Sequence, residues 1–234
     1  EATLWAKPVL FTLAVIGILY GAIAATMQKD LKRLVAYSSV AHLGFIVLGT
    51  FALTSQSLTG GVMQMVNHGV STGALFLLVG MIYERRHTRQ ISELGGIQAV
   101  APIFAGFFMI VMLSSIGLPG LNGFVGEFLT IIGTYRVSTW TAFFAATGVI
   151  FAAVYALTLY RRVTFGKIAN EGLESIKDVT ALEVGIFVPL IIATLLFGIW
   201  PMPIFDVTAA SVDQLIIHYQ EALAAHSSSL SAPN

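Results

Sequence analysis

Cysteine is absent from this 234-residue chain, which excludes disulfides, thiolate metal sites, cysteine-ligated iron–sulfur clusters and thiol catalysis within it. Charge is almost as scarce. Only 10% of residues are Asp, Glu, Lys or Arg, against about 25% in a soluble domain. The formal net charge is zero, so the chain lacks the basic face that nucleic-acid binding needs, and no nucleic-acid partner is expected. Phosphate-binding Gly-rich loops, dinucleotide fingerprints and nucleophile elbows are missing too. The chain opens on Glu1 without Met, a basic n-region or a cleavage pattern, and reads as the downstream part of a longer polypeptide.

What remains is apolar. Hydrophobic residues make up 56% of the chain and mean hydropathy is +0.85, so lipid is expected to cover most of it. Six stretches have the length and composition of membrane spans, roughly 9–27, 34–53, 58–83, 102–135, 140–160 and 184–205. The positive residues test this layout independently. Lys29, Lys32 and Arg33 follow the first span, Arg85, Arg86 and Arg89 the third, and Arg161, Arg162, Lys167 and Lys177 the fifth. All three loops fall on one side, which the positive-inside rule makes cytoplasmic. A bacterial plasma membrane fits best. After the last span, Val212, Leu215, Ile216, Tyr219 and Leu223 recur at helical spacing over 211–226. That pattern predicts an amphipathic helix, at the interface or on a partner, or else packed on its own bundle. Residues 227–234 read as disordered.

The fourth span is too long for one helix. Residues 102–135 would run about 51 Å as a single helix. The middle holds Gly117, Pro119, Gly120 and Gly123, which end a helix and permit a turn. Unwound backbone at membrane depth survives only when buried in protein or lining a wet cavity, and such breaks mark ion sites in transporters. A plain proline kink is the simpler alternative. Just past the break sits Glu127, the sole carboxylate inside the six spans. A buried carboxylate there needs a partner or a proton. His42 and His68 approach the same depth from opposite sides, with Tyr37, Ser38, Ser39, Gln64, Asn67, Ser71 and Thr72 nearby. Imidazole donates at one nitrogen while accepting at the other, so His42, His68 and Glu127 together predict a proton relay. Each histidine alone could equally be an interhelical strut. Metal-ligand spacing is lacking, and no metal is expected. Lys32 is a candidate for proton uptake from the cytoplasm, or a topology charge near lipid phosphate.

Several segments are highly specific. Asp30-Leu31-Lys32-Arg33-Leu34-Val35-Ala36-Tyr37-Ser38-Ser39-Val40-Ala41-His42-Leu43-Gly44-Phe45 resembles the antiporter-like subunits of respiratory complex I and their relatives in cation/proton antiporter and membrane hydrogenase complexes. Asn67-His68-Gly69, Tyr83-Glu84-Arg85-Arg86, Glu93-Leu94-Gly95-Gly96, Gly117-Leu118-Pro119-Gly120 and Gly126-Glu127-Phe128 follow in the same order. The resemblance implies an all-α, polytopic transmembrane bundle. It would comprise the second inverted five-helix repeat with one discontinuous helix (1–165), a loop and final transmembrane helix (166–205), and a tail (206–234). It places the terminal proton-carrying carboxylate at Glu127 and relay histidines at His42 and His68. Glu at position 127 resembles the M/4-type branch, since the L/5 and N/2 types usually carry Lys there; Ala41 departs mildly from a frequent Ser. The implied function is proton translocation within an NADH:quinone oxidoreductase, with no redox chemistry in this chain. Flavin, iron–sulfur clusters and quinone would belong to partner subunits of the membrane-bound complex. The alternative is a subunit of a monovalent cation/proton antiporter or membrane-bound hydrogenase.

Overall fold

The structure, a computed structural model, describes residues 2–231. Among these residues eight α-helices follow in order: α1 (Ala2–Thr26), α2 (Leu31–Ala52), α3 (Ser55–Arg86), α4 (Pro102–Ser115), α5 (Asn122–Tyr135), α6 (Thr139–Thr164), α7 (Ala181–Ile199) and α8 (Met202–Ser231). Five of them, α1, α2, α3, α6 and α7, are long and apolar enough to cross a membrane. The stretch expected as the fourth span, 102–135, is divided between the shorter helices α4 and α5. The protein is an integral membrane protein. Its outward faces are apolar: Trp5, Val9, Leu13, Ile16, Tyr20 and Ile23 stand exposed along α1, and α7 buries only Phe187 and Thr194.

Capping explains where the helices start. Asp30 accepts from the Arg33 amide at 3.0 Å to begin α2, Thr54 and Ser57 form a capping box on α3, and Thr180 and Glu183 form another on α7. At the basic end, the loops are tied down. Arg85 donates to both oxygens of Glu183, at 2.8 and 2.7 Å, and to the Lys177 carbonyl at 3.1 Å. Asp178 accepts from the Ile103 and Phe104 amides, at 2.9 and 3.1 Å, and so caps α4.

The last span ends earlier than its hydropathy suggests. Pro201 disfavours helical backbone at Trp200, which leaves the helical region with φ −133° and ψ 77°, so α7 stops at Ile199. The tail also differs from expectation. One 30-residue helix, α8, replaces the shorter amphipathic segment and includes 227–231, where disorder was expected. No glycine interrupts 202–231, and Pro203 lies in the first turn, where no amide is needed. Residues 232–234 of the expected disordered end lie outside the described residues.

Two apolar clusters fill the bundle. The larger lies toward the basic loops and includes Leu34, Val35, Leu78, Ile82, Phe108 and Leu159. The smaller, around Phe11, Ile18, Phe45 and Leu48, lies toward the opposite end. Between them is a layer of buried polar side chains, and this layer is the candidate site.

Candidate functional site

The break between α4 and α5 shapes the layer. α4 ends in a Schellman motif: the Leu118 amide donates to the Leu113 carbonyl at 3.1 Å, and the Gly117 amide to Ser114 at 3.0 Å. Gly117 takes the left-handed conformation (φ +79°) that this motif requires. α5 then begins against the end of α4. The Ser114 hydroxyl donates to the side-chain carbonyl of Asn122, and Ser71 of α3 reaches both of them. Asn67 donates to the Asn122 backbone carbonyl at 2.6 Å. These bonds fasten the start of α5 to α3 and α4, while Leu118, Pro119 and Gly120 of the turn itself stay exposed.

Glu127 lies on α5 and is 4% exposed. Gly126 lets α5 approach α3, because a Cβ there would sit 2.8 Å from the Gln64 amide nitrogen. That approach brings Gln64 within reach, and its Nε2 donates to Glu127 Oε1 at 3.2 Å. The same oxygen receives His42 Nδ1 at 2.9 Å. On the other side of the imidazole, Nε2 meets the Ser115 hydroxyl at 3.1 Å. A proton shared along this line can reside on the imidazole or the carboxylate without any helix moving.

His68 is the next station. Its Nε2 meets Ser39 Oγ at 2.7 Å, and its ring centroid is 6.2 Å from that of His42. Between them is a small cavity lined by Gln64, Asn67, Ser71 and Ser115, with room for about one water molecule. Three buried polar atoms at its edge, Gln64 Oε1, Asn67 Oδ1 and Asn122 Nδ2, lack hydrogen-bond partners. A water there would supply them. Glu127 also lines an open cleft with Gly117, Phe124, Phe128, Ile131, Ala146 and Val149.

The structure therefore brings His42, His68 and Glu127 together, and it leaves Lys32 apart. Lys32 is exposed on the first turn of α2, ten residues from His42 or about 15 Å along the helix. It lines a separate cleft with Phe76, Tyr83 and Arg89, and Leu34 and Val35 of the apolar cluster intervene. Among the described residues no three His, Asp or Glu side chains converge as metal ligands. Several polar members of the layer escape sequence reasoning: Ser114, Ser115 and Asn122 at the break, and Tyr155 of α6, whose hydroxyl is fully buried and faces Ser115 and Ser38. The signal for Tyr155 was its depth, about 14 Å inside the end of α6, too deep for an interfacial tyrosine.

With the geometry in view, likeness to known proteins decides the family. Residues 1–152 match the profile described as NADH:quinone oxidoreductase/Mrp antiporter, transmembrane. The chain belongs to this antiporter family. Its relatives include NADH-quinone oxidoreductase subunit M of Rhodobacter capsulatus, 47% identical over 92% of this chain and 42% of the relative. The subunit M of Rickettsia conorii is 44% identical over 88% and 42% of the two chains. Among solved structures, a chain of respiratory complex I from Thermus thermophilus with bound NADH superposes with a TM-score of 0.87. It is 36% identical, covering 92% of this chain and 45% of that one. The Mrp complex of a Dietzia species shares the fold at 19% identity, with a TM-score of 0.78 over 90% of this chain and 47% of that one. The chain thus spans less than half the length of these antiporter-family relatives.

Proposed function

We propose that this chain forms part of an M-type, proton-translocating subunit of an NADH:quinone oxidoreductase, in which Glu127 and His42 exchange the transported proton and His68 relays it. The observation that carries this reading is the buried His42–Glu127 contact of 2.9 Å at the broken helix. An ionisable pair held in an apolar bundle marks a transport path. The 36% and 47% identities to complex I proteins support the NADH:quinone oxidoreductase assignment over a cation antiporter or hydrogenase subunit.

In this reading NADH oxidation and quinone reduction occur in partner subunits, which hold the flavin and iron–sulfur clusters. The free energy arrives through the membrane arm and acts on the charge of the His42–Glu127 pair. The complex lies in a bacterial plasma membrane with the basic loops cytoplasmic. Glu127→Gln keeps the shape and the hydrogen bond to His42 but cannot carry a proton. In the assembled complex it is expected to lower protons pumped per NADH oxidised, with NADH oxidation itself retained under uncoupled conditions. Unchanged pumping would remove Glu127 from the mechanism.

A further inference from the structure

Tyr155 has no part in the path just described, yet among the described residues it is the one buried tyrosine. Its side chain is 2% exposed, and its hydroxyl faces Ser115 on α4 and Ser38 on α2. No hydrogen bond to that hydroxyl is closed. A buried tyrosine hydroxyl normally finds a partner, so one left open at the edge of a polar cluster calls for a reason. Both neighbours are hydroxyls that already serve the layer. Ser115 meets His42 Nε2 at 3.1 Å, and Ser38 donates to the Val35 carbonyl at 2.8 Å.

We propose that Tyr155 is a positioning residue for proton loading at His42, completing through the Ser115 hydroxyl the hydrogen bonds of the imidazole in both of its protonation states. This rests on the reading that His42 exchanges protons with Glu127.

Consider the neutral imidazole first. Nδ1–H donates to Glu127, so Nε2 accepts, and the Ser115 hydroxyl must donate to it. The Ser115 oxygen is then free to accept from the Tyr155 hydroxyl. Now let His42 take up a proton. Nε2–H donates to Ser115, whose own hydrogen must turn away, and the phenol oxygen of Tyr155 is the acceptor within its reach. The Tyr155 hydrogen turns in its place to Ser38, which goes on donating to Val35. Two hydroxyls rotate, those of Ser115 and Tyr155, no helix shifts, and no proton leaves Tyr155. The added proton stays on His42. A phenylalanine would fill the same space and leave Ser115 short of an acceptor only when His42 is charged. Hydrogen bonds to charged groups are the stronger kind, and a low-dielectric layer makes their loss more costly.

The other groups around His42 are accounted for. α5 brings Glu127 and α3 brings His68. α4 contributes the neutral Ser115. From α1, Lys7 is held at the Ala52 carbonyl and Tyr20 stands edge-on to Tyr37. On α2 itself, Lys32 and Arg33 are exposed on the first turn.

The test is the pH profile of proton pumping per NADH oxidised, measured in the assembled complex carrying Tyr155→Phe, Ser115→Ala or both. Tyr155→Phe is expected to move the alkaline limb toward lower pH by about one unit, a tenfold change in proton activity. Ser115→Ala should move it similarly, and the double variant no further, because both act through one chain of hydroxyls. Ser38→Ala, which loses only the last acceptor, should give a smaller shift in the same direction and stands in if Tyr155→Phe fails to assemble. An unmoved profile in Tyr155→Phe, or additive shifts in the double variant, would overturn the role of Tyr155. Glu127→Gln measured alongside separates the two claims. Loss of pumping there with an unmoved Tyr155→Phe profile sinks only this inference, whereas normal pumping in Glu127→Gln sinks the reading beneath it.

Discussion

At the scale of the residue, the site depends on one buried pair whose members cannot be removed singly. His42 and Glu127 are 5% and 4% exposed, and each has the other as its ionisable hydrogen-bond partner. His42→Ala leaves the carboxylate with Gln64 alone, so it is expected to destabilise the folded subunit by about 3–5 kcal/mol. Replacing both, as His42→Leu with Glu127→Met, should recover most of that loss while pumping stays abolished, because a packed apolar pair avoids desolvating either charge. Thermal unfolding and pumping assays on the same preparations separate the two effects. His68→Gln is expected to behave differently again. His68 is only half-buried and meets Ser39, so stability should change little while pumping falls. The depth of all three side chains was legible in the sequence from span boundaries alone. Which atoms meet was not, since the His42–Glu127 contact joins residues 85 apart and depends on how α5 seats against α2 and α3.

At the scale of the element, the broken helix is the feature that places the carboxylate. Gly117 adopts φ +79°, and a Cβ added there would lie 3.1 Å from Glu127 Oε2. Gly117→Ala therefore carries a backbone cost of about 1–2 kcal/mol and presses on the carboxylate. It is expected to reduce pumping with the complex still assembled, as judged by uncoupled NADH oxidation. The break itself was visible in Gly117, Pro119 and Gly120. The Schellman geometry, with Ser114 and Asn122 binding the two halves, was not, because it arises from contacts across the turn. A second element-scale device is the clamp at the basic end. Arg85 reaches Glu183 with two nitrogens and so fastens the 177–183 segment to α3. Arg85→Ala should accelerate tryptic cleavage at the exposed Lys177, and Arg85→Lys should protect only in part, since a lysine cannot reproduce the fork. Arg85 was read from sequence as a topology charge. Its partner lies 98 residues on, beyond the reach of local pattern.

At the scale of the whole molecule, the five long apolar helices, the place of the break and the grouping of basic loops all followed from hydropathy and charge. The tail did not. Hydropathy marked 211–226 as amphipathic, but continuation of the helix from Met202 to Ser231 depends on the lack of a breaker after Pro203. Sidedness has a direct test, helped by a chain with no cysteine to remove. Ser175→Cys, in the loop before α7, should react with a membrane-impermeant maleimide only in inside-out vesicles. Val207→Cys, 81% exposed on α8, should react only in right-side-out ones. The reverse pattern would invert the orientation proposed from the basic loops.

The apolar clusters above and below the ionisable layer have an electrical consequence. In the proposed path His42, His68 and Glu127 lie side by side between the two clusters, so a proton exchanged among them would move along the plane of the membrane. Displacement in that direction crosses almost none of the transmembrane voltage, whose full drop is worth about 2.3 kcal/mol per charge per 100 mV. The work against the field must then be done elsewhere, where a proton passes the dry packing around Leu34 and Leu78 on one side or around Phe45 and Leu48 on the other. Those greasy plugs, rather than the histidines and the carboxylate, are where voltage would be felt.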